Sequence, residues 1–147
     1  GALGIEALSR GAARCTFVER DARVRAIVER NLATTGFADR ASLVGDRAES
    51  WVERAVADRV WVDLALLDPP YAYDGWDELL ATIPASVVVV ESDRDVPLPP
   101  TWRVVRHKRY GSTLVVTART GAAGPAGGRT VGEDTDVDPT DTGSVDV

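Results

Sequence analysis

Apolar positions along the chain alternate between two periods. Leu3, Ala7 and Leu8 share one helical face and Gly11 follows as a stop, which predicts a helix over Ala2–Arg10. Cys15–Glu19 is a short β-prone run that ends in an acid. Asp21 is placed to N-cap a second helix, with Val24, Ile27, Val28 and Leu32 at helical spacing and Gly36 at its end. Ala41–Gly45 reads as a second strand. Asp46 then caps a third helix that carries Ala48, Trp51, Val52, Ala55 and Val56 on one face. Val62–Leu67 is a buried-type strand ending at Asp68, and the breaker Pro69-Pro70 follows. Trp76–Ile83 is a short helix. Val87–Val90, four valines in a row, predicts a strand covered on both faces. Trp102–His107 and Thr113–Thr117 flank Tyr110-Gly111-Ser112 and read as a closing hairpin.

Strands alternating with helices predict an α/β fold, a Rossmann-like and mostly parallel sheet, with an antiparallel hairpin at its C-terminal end. Such a sheet normally opens with a strand from which the first helix crosses over. Here a helix comes first, the first residue is Gly1, and the chain contains no methionine. Together these predict a first strand upstream of the sequence in hand, and so an N-terminally incomplete domain.

The 147 residues, 44% of them apolar, suffice for one domain with a real core. No apolar run approaches the roughly 18 residues of a membrane span, and no signal-like start is visible. One cysteine, Cys15, excludes an intrachain disulfide. With a single histidine, His107, it also argues against a His/Cys zinc site, so no metal is expected. The formal charge of −6 is unevenly distributed. Residues 1–119 are close to neutral. Residues 120–147 hold Arg129 against six acids, with no aromatic, Leu or Ile, and read as a disordered acidic tail. The net acidity therefore does not argue against a nucleic-acid partner.

Ligands of open parallel sheets bind beyond the carboxyl ends of the strands. Glu19, Asp46 and Asp68 all sit there. An acid ending the second strand of such a fold commonly accepts from a ribose diol, and Glu19 fits that place; it reads equally as a solvent-exposed strand end. Asp46 reads as a helix cap, which leaves room for contact with an adenine edge. Gly1 and Gly4 straddle the start of the first helix, where a ligand can approach the backbone. The most informative segment is Leu67-Asp68-Pro69-Pro70-Tyr71. Its two prolines remove backbone donors and stiffen the turn, beside an acid and an aromatic. This suits methylation of an exocyclic amine, whose lone pair is delocalised into the base. A carboxylate and a carbonyl accepting its two N–H groups can hold it in line with a sulfonium methyl, and the aromatic can stack on the base. Taken alone, the segment also reads as a Pro-rich turn with an Asp cap.

Asp68-Pro69-Pro70-Tyr71 resembles motif IV of the S-adenosylmethionine-dependent amino-methyltransferases. The opening Gly1-Ala2-Leu3-Gly4-Ile5-Glu6-Ala7-Leu8-Ser9-Arg10-Gly11-Ala12 closely resembles the segment after the glycine loop in the bacterial 16S ribosomal RNA guanine-N2 methyltransferases of the RsmD type. Phe17-Val18-Glu19-Arg20-Asp21, Asn31-Leu32, Val44-Gly45-Asp46, Val88-Val89-Val90-Glu91 and Lys108-Arg109-Tyr110-Gly111-Ser112-Thr113 continue the likeness over about residues 1–117. The earlier loop glycines of that family are missing, and the stretch between Leu80 and Val87 is short.

The resemblance implies a methyltransferase domain over 1–119 with S-adenosylmethionine as cofactor. Gly1, with Ala2 and Leu3, would close the cofactor loop, Glu19 would hold the ribose hydroxyls, and Asp46 with Arg47 would lie near the adenine. Asp68, Pro69, Pro70 and Tyr71 would address the target guanine. The substrate would be 16S rRNA, free or in an assembling small subunit, and the protein a cytoplasmic monomer. Arg103, Arg106, Lys108 and Arg109 form the main basic run and either grip RNA phosphates or guard a solvated edge. By simple alternation Arg103, His107 and Arg109 share one face, and Arg106 and Lys108 the other. Trp51 and Trp102 are expected in the core, and Tyr73 and Trp76 either there or at the pocket mouth. The competing readings are an amino-methyltransferase of DNA or protein glutamine, which shares the Pro-Pro-aromatic motif, and a catalytically inactive binding module.

Overall fold

The computed structural model describes residues 1–121, so nearly all of the predicted acidic tail lies outside the described residues. In chain order the elements are α1 (Ala2–Ser9), β1 (Cys15–Val18), α2 (Ala22–Thr35), β2 (Ala41–Val44), α3 (Ala48–Ala57), β3 (Val62–Leu67), α4 (Trp76–Thr82), β4 (Ala85–Ser92), β5 (Trp102–Tyr110) and β6 (Thr113–Thr120). A single 3-10 turn, Ala38–Arg40, precedes β2. The alternation predicted from the sequence is present, with boundaries shifted by up to three residues, as at the ends of β5 and β6. The valine strand extends well beyond the four valines.

Local chemistry explains most boundaries. The Asp21 carboxylate accepts from the amides of Arg23 and Val24, which satisfies two of the orphan donors at the start of α2. Gly36 ends that helix at φ 75°, a left-handed conformation that a Cβ would strain. Gly111, at φ 60°, takes the first central position of the two-residue turn between Tyr110 and Thr113. The third helix departs from expectation. Its N-cap is Arg47, with no side-chain cap, because the Asp46 carboxylate is taken by the Arg47 amide and the Arg54 guanidinium.

The strands form two ladders. β1 and β2 pair in parallel, Phe17 opposite Leu43. β3 and β4 also pair in parallel, Leu67 opposite Val90. β6 and β5 then add antiparallel strands, giving the order β3-β4-β6-β5. Backbone pairing does not run between β1 and β3 among the described residues. The fold is thus α/β, with parallel pairs β1–β2 and β3–β4 and a C-terminal antiparallel hairpin joined to β4.

Two cores match the two ladders. Val52 of α3 and Trp76, Leu79 and Leu80 of α4 bury one face of the larger sheet, Val88, Val90, Val116 and Ala118. Trp102 anchors β5 to this core, and its indole Nε1 donates to the Leu80 carbonyl at 2.7 Å. Trp51 is only partly buried against the same cluster. Leu8, Phe17, Val28 and Leu32 form the smaller core. Gly4 is needed there, since a Cβ would lie 2.3 Å from Phe17 Cε1. Several apolar positions expected inside are not: Leu3, Val24, Ile27 and Val56 are exposed, and β4 is covered on one face only, Val87 and Val89 being half-buried. A period-two strand presents alternate residues to opposite faces, and only the even-numbered valines meet the helices.

Candidate active site

Glu19, Asp46 and Asp68 each follow the last residue of a parallel strand, or come within two residues of it. The Glu19 amide donates to the Val44 carbonyl at 3.0 Å, which continues the β1–β2 ladder by one step and sets Glu19 beside the Gly45-Asp46 turn. Oε1 of Glu19 accepts from the Asp21 amide at 2.8 Å. Its other carboxylate oxygen has no partner among the described residues, and the residue is half-buried. Arg25, on α2, secures this corner. Its Nη1 donates to the carbonyls of Glu19 and Arg20 at 3.2 and 2.8 Å. Gly45 lies directly over that guanidinium, where a Cβ would come within 2.8 Å of Cζ.

Asp46 is more committed than its sequence position indicates. Oδ1 accepts from the Arg47 amide at 2.7 Å and Oδ2 from Arg54 Nη1 at 2.6 Å. The Arg54 hydrogen bond, followed by that from the Arg47 amide, holds its carboxyl below the usual carboxylate range. Arg47 extends outward, with Nε 3.3 Å from Glu49 Oε2. The carboxyl of Glu49 is also lowered, chiefly by its own backbone amide and further by Tyr73 and Arg47. The Tyr73 hydroxyl lies between Glu49 and the Gly75 carbonyl, 3.1 Å away. Burial, and then Glu49, push its pKa up. This contact links the first turn of α3, just after Asp46, to the loop just after Asp68.

That loop is short of its own donors because of Pro69 and Pro70. It closes one turn through the Tyr73 amide and the Pro70 carbonyl at 2.8 Å. The Asp68 side chain is exposed and has no hydrogen-bond or ion-pair partner among the described residues, and the Pro69 carbonyl likewise accepts nothing. Tyr71 is 53% exposed. Trp76 is buried instead, with Tyr73 edge-on to it at 5.2 Å between centroids, so this pair supports the loop from below. Sequence reasoning missed Arg25 and Arg54, which reach the Glu19 carbonyl and the Asp46 carboxylate from six and eight residues away, across the boundary between a strand end and the following helix.

Gly1 is the uncapped start of α1 and lies against Val28 and Phe17. A Cβ there would be 2.9 Å from Val28 Cγ1 and 3.5 Å from Phe17 Cε1. Gly1, Ala2 and Leu3 are all exposed. The structure sets Glu19 beside the turn that carries Asp46, through the bond from its amide to the Val44 carbonyl, and links the first turn of α3 to the Asp68 loop through Glu49 and Tyr73. It does not bring Gly1–Leu3 into hydrogen bonding with any of the three acids. A cleft of about 350 Å³ between β1–β2 and α3 holds none of them.

The basic run occupies β5, an exposed edge strand. Its faces differ from those that simple alternation predicts. The register passes from Val104 opposite Ala118 to Arg106 opposite Thr117, so Val105 is a bulge and the parity changes there. Residues directly opposite in an antiparallel pair share a face. Arg103, Arg106, Lys108 and Tyr110 therefore share the open face with Arg119 of β6, which lies opposite Arg103. His107 and Arg109 share the other face, opposite Val116 and Leu114. His107 Nε2 is 3.4 Å from Asp95 Oδ1, and Lys108 Nζ lies 4.7 Å from the Tyr110 ring centroid.

No group of three or more metal-ligating side chains occurs among the described residues. For S-adenosylmethionine the donor set fits in part. Glu19 offers a free carboxylate oxygen for a diol, while both Asp46 oxygens are already engaged.

The chain is similar to several known proteins. Residues 1–119 match the family described as conserved hypothetical protein 95. YlbH of Bacillus subtilis, provisionally named an rRNA methyltransferase, is 35% identical over 125 residues, 78% of this chain and 68% of that protein. The ribosomal RNA small subunit methyltransferase D of Haemophilus influenzae is 28% identical, covering 76% of this chain and 62% of its own length. The chain thus spans about two thirds of these curated relatives. A solved Escherichia coli structure, provisionally named the methyltransferase yhhF, is 29% identical with a TM-score of 0.70, over 84% of this chain and 71% of that one. A conserved hypothetical protein from Streptococcus pyogenes is 32% identical with a TM-score of 0.67, over 82% and 79%. With the fold, the ordered strand-end acids and a family match over most of its length, the chain belongs to the conserved hypothetical protein 95 family, the RsmD-type rRNA methyltransferases.

Proposed function

We propose that this chain transfers a methyl group from S-adenosylmethionine to the exocyclic N2 of a guanine in small-subunit ribosomal RNA. The observation that carries the reading is the free end of β3. The Asp68 carboxylate and the Pro69 carbonyl are both without partners among the described residues, beside the exposed Tyr71. An aromatic amine is a poor nucleophile because its lone pair is shared with the ring. Two acceptors on its N–H groups orient it and stabilise the positive charge that grows on nitrogen as a methyl is taken up. Asp68 supplies one acceptor and Pro69 the other, and Tyr71 holds the base by stacking.

S-adenosylmethionine supplies an electrophilic methyl group. Glu19 would take its ribose diol on the free carboxylate oxygen, with Gly1–Leu3 near the start of α1 and Asp46–Arg47 beside the adenine. Asp46, already bound by Arg54, would act there mainly by shaping the turn. The open-face cations Arg103, Arg106, Lys108 and Arg119 would meet RNA phosphates. The substrate would be 16S rRNA or the assembling small subunit, in the cytoplasm, acted on by a monomer with one methyltransferase domain over 1–119.

The test is transfer of a labelled methyl group to a mixture of small-subunit rRNA, duplex DNA and protein. The expected result is label in the rRNA alone, abolished by Asp68→Ala with cofactor affinity unchanged. Label in DNA or protein would overturn the reading.

A further inference from the structure

Arg94 follows β4 and reaches across to the loop that follows β3. The two strands are parallel neighbours, Leu67 opposite Val90, so their exits lie side by side at the same edge. One terminal nitrogen, Nη1, donates to the Tyr71 carbonyl, and the other, Nη2, donates to the Tyr73 carbonyl at 2.6 Å. The guanidinium is itself steadied. Asp93 Oδ1 lies 3.2 Å from Nη1, and the buried Ser92 hydroxyl donates to the Arg94 carbonyl, tying down the backbone that carries it. A planar guanidinium with fixed donors suits two carbonyls at set positions, and an ammonium does not.

These bonds have a consequence for the loop. Pro69 and Pro70 contribute no donors, and the Pro70 carbonyl is used by the Tyr73 amide. Arg94 takes two further carbonyls of the loop, those of Tyr71 and Tyr73. The Pro69 carbonyl accepts nothing among the described residues, with the Asp68 carboxylate before it and the Tyr71 ring after it. Arg94 is about half exposed and belongs to neither apolar core, so its truncation leaves both cores intact.

We propose that Arg94 is a positioning residue for methyl transfer: by pinning the Tyr71 and Tyr73 carbonyls it fixes the acceptor atoms of Asp68 and Pro69 and the stacking ring of Tyr71 in the geometry the target amine requires. The inference rests on the reading that this loop receives the substrate base. A misplacement of about 1 Å at reacting atoms can cost about 100-fold in rate. Arg94→Ala is therefore expected to lower kcat by about 10- to 100-fold, while S-adenosylmethionine affinity and the thermal midpoint stay at the parent's values. Arg94→Lys, with one ammonium for two carbonyls, should recover only part of the loss. Millimolar guanidinium should restore Arg94→Ala and leave Asp68→Ala inactive. Independently of activity, chymotrypsin should cleave after Tyr71 faster in Arg94→Ala than in the parent. An inactive parent protein would overturn the reading of the loop itself. An active parent with an equally active Arg94→Ala, or a loss that guanidinium does not relieve and chymotrypsin does not register, would overturn the role of Arg94 alone.

Discussion

The bulge at Val105 makes the proposed RNA interface testable side chain by side chain. Replacing Arg103, Arg106 and Lys108 together by Ala removes three cations from the open face of the hairpin. The strand itself should persist, since these residues are exposed and Trp102 anchors it. Each phosphate contact contributes about 0.7 to 0.9 to the slope of log affinity against log salt. Three contacts contribute about 2 to 2.7. Raising salt from about 50 to about 200 mM should then weaken the parent by about 20- to 40-fold more than the triple variant. Fluorescence anisotropy with a 16S rRNA fragment over that range measures both slopes. Arg109→Ala, whose side chain lies on the opposite face with His107, should keep the parent's slope. Equal slopes for parent and triple variant, or a drop in Arg109→Ala as large as in Lys108→Ala, would refute the assignment of the phosphate-binding face.

Gly4→Ala should lower stability by about 1 to 3 kcal/mol through overpacking, because its Cβ would fall 2.3 Å from the Phe17 ring; a thermal melt superimposable on the parent's would show that α1 is not seated on β1. Asp46 titrates below its ordinary range when folded, so the unfolded chain binds its proton more readily. Its contribution to stability is accordingly full above the ordinary carboxylate range and is lost as pH falls through the folded-state value. Arg54→Ala should raise the Asp46 titration midpoint in carboxyl NMR, and an unmoved midpoint would contradict the pairing. Tyr71→Ala should weaken base binding by about 1 to 3 kcal/mol while Tyr71→Phe stays near the parent, which RNA affinity at fixed salt would reveal.

The elements legible in the sequence are those with local causes. Asp21 and Gly36 bracket α2 by a cap and a left-handed stop, and Gly111 turns the hairpin. The apolar run before Asp68 identifies β3, and with it the end at which Glu19, Asp46 and Asp68 collect. The departures arise from contacts distant in sequence. Asp46 does not cap α3 because Arg54, two turns further on, competes for its carboxylate. The bulge at Val105 depends on the register with β6, and nothing in Val104-Val105 marks it, so alternation placed Arg109 with Arg103 and separated Arg106 from both. Four consecutive valines look alike on both faces of a strand, yet only Val88 and Val90 meet α3 and α4. Arg94 contacts carbonyls 21 and 23 residues earlier, an interaction that involves no side-chain pattern at all.

The central claim concerns which atom receives the methyl group, and nucleoside mass analysis addresses it directly. Small-subunit particles lacking the modification are incubated with the protein and S-adenosylmethionine, and the 16S rRNA is then digested to nucleosides. Methylation guided by Asp68 and Pro69 predicts one new nucleoside, N2-methylguanosine, absent when Asp68 is replaced by Ala. A methyl group on adenine, on cytosine or on a ribose hydroxyl, or N2-methylguanosine formed equally well by Asp68→Ala, would contradict it.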